Sequence, residues 1–320
     1  MNDRRVENTP SLADSLATEA SKGATHKSQL DSRLDRYGRA KNLALATAKY
    51  IRLNEPHHQT LAHNIQECGS YLVFKNYFTV GELRLSAARF CKKHLLCPLC
   101  AIRRGAKTLS RYLDRFEANV AENASLKPYL VTLTVKDGDN LKERFNHLQK
   151  SVQYYHKQRH LKGRKCEAKK AHGAAWSYEV KRGKNSGSWH PHVHAVWLCE
   201  DEPDQAAISR EWLAITGDSY IVDVRPINQA DPAAGFMEVF KYAVKFSEQS
   251  VEDTWDSYLT LQGKRLIGSF GNLYGVKEPD ELTDDPLEGL PYFEMFFLHT
   301  HAAGYVPVTT DQMDRETITS

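Results

Sequence analysis

Two alternating runs separated by a short turn constrain this chain more than any other feature. "AAWSYEVKRG" (174–183) and "SWHPHVHAVWL" (188–198) carry large apolar side chains at alternate positions, and Lys184-Asn185-Ser186-Gly187 between them is turn chemistry. Such a pair predicts neighbouring antiparallel strands. "KPYLVTLTVKD" (127–137) and "SYIVDVRPI" (219–227) predict two more, and helical spacing covers 139–160, 204–216 and 233–250. The order β-α-β-β-α-β-α predicts an α+β fold, a ferredoxin-like (RRM-like) sandwich with a central antiparallel sheet.

Residues 1–35 are polar and nearly without aromatics, so a disordered tail is expected there. Residues 36–125 form the next expected domain, a helical segment ("AKNLALATAKYIRL", "HHQTLAHNIQEC" and "RGAKTLSRYLDRFEANVAENA") with clustered cysteines. The sheet domain spans 126–275. An acidic tail follows over 276–320, with Asp280, Glu281, Asp284, Asp285 and Glu288. No G-x-x-x-x-G-K-[ST] or G-x-G-x-x-G loop is present, which argues against an ATP-driven motor. No apolar run reaches the roughly 20 residues of a membrane span, and the N-terminus lacks a secretory h-region. A cytoplasmic protein with no membrane partner is expected. The net charge is only +3, but bases crowd residues 92–170, a distribution suited to a polyanion.

His190, His192 and His194 alternate on the second strand. Imidazoles two residues apart share a face and lie about 6.6 Å apart at Cα, close enough for one ion, whereas His190 and His194 are about 13 Å apart. A turn centred near Asn185-Ser186 puts Glu179 opposite His192 and supplies a third ligand. Two imidazoles and a carboxylate form an open site for Mg²⁺ or Mn²⁺, and Zn²⁺ accepts the same donors. His299 and His301 form another alternate pair without further ligands around it.

In "GFMEVFKYAVKFSE" one stripe is apolar (Phe236, Val239, Phe240, Ala243, Val244), and the opposite face carries Glu238, Lys241, Tyr242, Lys245 and Glu248. Tyr242 is therefore displayed among charges, one helical turn from Glu238. A phenol of pKa about 10 is a poor nucleophile at neutral pH unless a metal and flanking cations assist it. Lys241 and Lys245 fit that need, and Glu238 fits a general base for the phenol or for a water. A structural role for the same tyrosine is the plain alternative.

Cys68, Cys91, Cys97 and Cys100 include a C-x-x-C that six cysteines in 320 residues produce by chance only about 0.1 times. Four thiolates, with His94 as a possible substitute, predict a closed tetrahedral Zn²⁺ site. Arg103, Arg104 and Lys107 follow immediately and are candidate contacts to DNA phosphates. Cys166 and Cys199 read as single thiols.

Together "ECGSYLVF", "FCKKHLLCPLCAIRR", "YLVTLTV", "WSYEVKR", "HPHVHAVWL", "EVFKYAVK" and "LQGKRLIGSFGNL" resemble the rolling-circle replication initiators of small bacterial plasmids, in the HUH endonuclease superfamily. The resemblance spans roughly residues 37–275. It implies that His192 and His194 hold the metal with Glu179, that Tyr242 is the nicking tyrosine, and that Glu238 is the glutamate of the single-tyrosine branch. It also implies plasmid origin DNA, double- and single-stranded, as substrate: one strand is cut, a 5′-phosphotyrosine forms, a 3′-OH primes synthesis, and the displaced strand is later rejoined. A host helicase and replication machinery are the implied partners; oligomeric state is left open. His190 receives no role. The competing readings are another HUH enzyme, such as a relaxase or single-strand transposase, and a non-catalytic zinc-containing DNA-binding regulator.

Overall fold

A computed structural model describes residues 26–240, 246 and 248–308. The chain is an α+β protein with two antiparallel sheets, one in each of two units. The larger unit takes residues 41–68 and 90–282; the smaller takes residues up to Ala40, Gly69–Arg89, and Thr283 onward. Among the described residues no helix is long and apolar enough to cross a membrane.

The larger unit contains the second half of α1 (His26–Asn54), a 3-10 turn (Pro56–His58), α2 (Gln59–Glu67), α3 (Pro98–Glu122), β3 (Lys127–Thr134), α4 (Leu141–Gln158), β4 (Ala171–Arg182), β5 (Trp189–Cys199), α5 (Gln205–Thr216), β6 (Val222–Pro226), α6 (Pro232–Phe240), α7 (Val251–Leu261) and β7 (Ile267–Gly271). Its sheet runs β6-β3-β5-β4-β7. The β4–β5 hairpin forms as the turn residues dictate: Gly183 N–H donates to Ser188 O, Gly187 N–H donates to Gly183 O, and Gly187 takes φ +66°. Helix ends carry the expected caps. The Asn140 side chain accepts from Glu143 N–H at α4, and Asp204 accepts from Ala206 and Ala207 at α5.

Alternation divides this sheet between two cores. Val193, Ala195 and Trp197 of β5 join Val131, Leu133, Tyr178, Phe145, Tyr155 and Trp212 on the face covered by α4 and α5. Val196 and Leu198 face the other way, into Tyr112 and Phe116 of α3 and Phe236, Val239 and Phe240 of α6. Tyr112 stacks on Phe240 at 4.3 Å. His192 and His194 share parity with Val196, so they lie on the α3/α6 face.

The smaller unit contains the start of α1 and the sheet β2-β1-β8-β9, made of β1 (Tyr71–Tyr77), β2 (Glu82–Ala88), β8 (Phe293–Thr300) and β9 (Gly304–Pro307). Alternation was not the signal to find these strands, because several carry mixed, half-buried faces. Residues 293–307 lie in the stretch distinguished in sequence by its acids. Residues 26–35 are helical where disorder was expected. The reason is tertiary: Arg33 donates to Leu83 O and to Asp284 at 2.9 Å each and lies over the Phe74 ring at 5.1 Å, while Tyr37 is fully buried. Strand β7 and helix α7 are further elements absent from the sequence pattern. The helix expected over 233–250 is described as far as Phe240; Lys241, Tyr242 and Lys245 lie outside the described residues.

Two outcomes follow from this packing. Phe236 is fully buried where α6 meets the sheet, so Phe236→Ala should lower unfolding free energy by about 3–5 kcal/mol in urea titrations. His156 packs against Trp176 at 4.3 Å and Phe270 at 5.2 Å, and burial, aided by Arg159, pulls its pKa from 6.5 to about 3. The unfolded chain then binds a proton that the folded chain refuses. Stability should be full above about pH 6.5 and fall as pH drops toward 3, and His156→Gln should flatten that slope in acid melting curves.

Candidate functional site

The hairpin register brings three donors together. Glu179 pairs with His192 across β4 and β5, and Ser177 pairs with His194. The Glu179 carboxylate lies 3.0 Å from His192 Nε2 and 3.7 Å from His194 Nε2, and its side chain is 3% exposed. One donor atom from each of the three residues lies within 4.8 Å of the others. The remaining ring nitrogens are occupied. His192 Nδ1 is 3.3 Å from the His190 carbonyl, which can only accept, and this leaves Nε2 facing Glu179, an approach that needs a proton or a cation between the two. His194 Nδ1 is 2.9 Å from Thr132 Oγ1 on β3, its neighbour across the sheet. Imidazoles oriented through their far nitrogens, beside a buried carboxylate, are a donor set suited to a divalent cation.

The last described turn of helix α6 lies beside this group. Ser177 Oγ donates to the Val239 carbonyl, and Ser177 is the residue opposite His194. Glu238, half-buried, immediately precedes that anchored carbonyl. Tyr242 and its flanking Lys241 and Lys245 belong to the undescribed stretch that follows.

His190 shares the face of the other two imidazoles, with ring centroids 5.3 Å from His192. Its Nδ1 meets Asp137 Oδ1 at 2.5 Å, and Ser186 Oγ donates to the other Asp137 oxygen at 2.5 Å. Burial raises the Asp137 pKa, but donation from Ser186 and His190 outweighs it and holds the carboxyl below its usual range. Ser188 Oγ donates to Asp139, and Gly138 and Trp189 exchange backbone hydrogen bonds. The loop after β3 thus clamps the entry to β5.

The second donor group holds Cys68, Cys91, Cys97 and Cys100. Cys68 and Cys100 sulfurs are 3.5 Å apart, Cys91 and Cys100 3.6 Å, and Cys97 and Cys68 3.5 Å. Those separations exceed a disulfide bond and match the edges of a tetrahedron, about 3.8 Å for Zn–S bonds near 2.3 Å. Hydrogen bonding from Cys100, Cys68 and Cys97 pulls the Cys91 pKa down, whereas bonding to Cys100, Cys68 and Cys91, with burial, pushes Cys97 up. The Cys91 thiolate is favoured, and Cys97 and Cys100 resist joining it until a cation arrives. His94 is not in the group; burial and then Arg104 lower its pKa to about 4. Lys41, buried on α1, donates to the carbonyls of Gln66 and Cys68 and fixes the first ligand's backbone.

The bases after the cysteines separate. Arg103 is 1% exposed and its Nε donates to Leu282 O at 2.8 Å, so it is a packing residue, not the surface phosphate contact expected from sequence. Helical periodicity explains the correction, since Arg103 shares the inward face with Leu99 and Ile102. Arg104 pairs with Glu278, and Lys107 is half-buried. Cys166 and Cys199 are buried single thiols in the core. His299 and His301, 6.3 Å apart in the smaller unit, gather no third ligand among the described residues.

A family model described as "Replication protein" matches residues 82–290 of the 320. The chain belongs to that family. It is 26% identical over 234 residues to "Protein rep" of Streptococcus pneumoniae serotype 2 (strain D39 / NCTC 7466), covering 68% of this chain and 70% of that protein. It is 25% identical to "Protein rep" of Lactiplantibacillus plantarum (70% and 76% covered) and to that of Bacillus amyloliquefaciens (79% and 72%). No solved structure matches it. Membership in the replication-protein family agrees with the resemblance to plasmid initiators.

Thr132, Ser177, Asp137 and Lys41 carry no motif of their own; only cross-strand register or tertiary packing identifies them. Thr132 is the most testable. Thr132→Val should weaken Mn²⁺ binding about 10–100-fold in calorimetric titration, with the melting temperature little changed.

Proposed function

We propose that this chain initiates plasmid rolling-circle replication by nicking one strand of its origin through Tyr242. The observation that carries this reading is the convergence of Glu179, His192 and His194 on the sheet face against which α6 packs, with Ser177 holding the Val239 carbonyl three residues before Tyr242. Glu179, His192 and His194 would hold Mg²⁺ or Mn²⁺, which when bound supplies Lewis-acid polarisation of the scissile phosphate. The phenol oxygen of Tyr242 attacks phosphorus, the P–O3′ bond breaks, and the 3′ oxygen leaves, taking a proton from solvent water to become the 3′-OH. Glu238 accepts the phenol proton, or that of a water at the terminating step. Lys241 and Lys245 offset phosphate charge. The phosphotyrosine keeps the energy of the broken bond, so rejoining needs no ATP, in keeping with the missing nucleotide loop.

Other parts of the reading follow. The order β6-β3-β5-β4 puts the first and third strands of a β-α-β-β-α-β unit side by side, which supports a ferredoxin-like HUH domain over 126–275. The cysteines would hold a structural Zn²⁺ in the preceding 36–125 segment. A cytoplasmic initiator without its own motor relies on a host helicase and replication machinery.

On a supercoiled plasmid carrying the protein's own origin, with Mn²⁺, the wild type should yield a nicked circle with protein on the 5′ end. Tyr242→Phe should abolish nicking and keep DNA binding; retained nicking would remove Tyr242 from the chemistry. A non-catalytic regulator would bind and never nick. Glu238→Gln should slow termination more than the first cut. Metal analysis should find about one zinc per chain, lost together with folded structure in Cys100→Ser.

A further inference from the structure

The strongest unassigned charge on the molecule lies between α4 and β4. Residues 145–166, "FNHLQKSVQYYHKQRHLKGRKC", hold six Lys or Arg and no Asp or Glu, so this stretch alone carries twice the chain's net charge of +3. Lys157, Lys162, Arg164 and Lys165 are exposed, and none has an ion-pair partner among the described residues. Other bases of the larger unit differ: Arg104 pairs with Glu278, Lys92 with Glu281, Arg144 with Asp218, and Arg182 with Asp253. Glu167, the first acid after the loop, is engaged by Lys170 at 2.8 Å and by Asp204 N–H at 2.8 Å.

The loop is anchored at both ends. Arg159 lies 3.3 Å from the centroid of Phe270, Lys169 Nζ donates to Leu161 O at 2.7 Å, and Cys166 and Ala168 are buried. Between these anchors Gly163 at φ +75° turns the chain. Four exposed cations held this way repel one another weakly through solvent and together present a positive potential that favours an anion lying against them.

We infer that the 157–165 loop grips the phosphate backbone of duplex DNA. This rests on the replication-initiator reading for its partner, but not on the nicking chemistry. Ala171, where β4 begins beyond the loop, is eight residues from Glu179, about 26 Å along the strand. That distance is about eight base-pair steps at 3.4 Å, so the grip is remote from the metal donors and does not touch the reacting atoms. Exposed Tyr154 and Leu161 flank the cations with apolar surface against the sugar edge.

The test is the salt dependence of binding by the full chain to a mixed-sequence duplex of about 40 base pairs, followed by fluorescence anisotropy. Replacing Lys162, Arg164 and Lys165 together with Gln should weaken binding at least about tenfold near 0.1 M salt and reduce the log–log slope by about 2.7, or about 0.9 per lost contact. Lys162→Gln alone should reduce it by about 0.9, and the paired Lys162→Arg and Lys165→Arg variant should keep the wild-type slope. An unchanged slope in the triple variant, or a loss in the Arg variant as large as in the Gln variant, would overturn the inference. Nicking of a short single strand spanning the cleavage site should be unaffected by the triple variant; its loss would also overturn the inference. A wild type that binds duplex with this slope but never nicks would sink the nicking chemistry alone.

Discussion

The register between β4 and β5 is the constraint on which the rest depends. With Glu179 opposite His192, one carboxylate meets two imidazoles on a single face, and the alternate residues Val193, Ala195 and Trp197 fill the core behind them. A slip of one residue would exchange these sets, burying imidazoles among the apolar side chains under α4 and α5 and forcing Trp197 into the separate core under α3 and α6. The hydrophobic cost of that exchange is what fixes the site. Chemistry and core are written on the same strand, so neither can shift without the other.

Around this pair, each neighbour restrains a different degree of freedom. Thr132 on β3 sets one ring's rotation, the His190 carbonyl sets another, and Ser177 holds the Val239 carbonyl of α6 against the same face. Tyr112 and Phe240 press α3 and α6 together over the sheet. The cysteine group is a separate device, in which Lys41 braces the backbone of Cys68 while the helix beginning at Pro98 presents Cys100. The sheet donors come from one hairpin, whereas Cys68 meets its partners from a segment that precedes Cys91 by 23 residues.

Much of this was legible in the chain itself, for definite reasons. The strands around His192 follow period two because each has a full core on at least one face, and the Asn-Ser-Gly turn placed Glu179 by counting alone. The cysteine spacing named its group without a fold. What escaped notice had no local signature. Strands β1, β2 and β8 mix apolar and charged residues on half-buried faces, β9 is only four residues long, and residues 26–35 are helical through contacts such as Arg33 with Asp284, 251 positions away. Arg103 looked like a surface base because composition ignores helical phase; its inward face decides otherwise. Thr132 is an ordinary strand threonine until its partner across the sheet is known.

The clamp at the start of β5 has an evolutionary corollary. Gly183 is packed so closely that an added Cβ would lie 2.4 Å from Asp137 Oδ2, and the hairpin is tied at Ser186, Ser188 and Trp189. An insertion or deletion of one residue there would rephase every imidazole after it. The connection between α4 and β4 has no such penalty, because its ends are pinned independently of the strand register. Descendants of this chain are therefore free to lengthen or shorten that connection provided its cations remain, while the hairpin that carries the donors keeps its length.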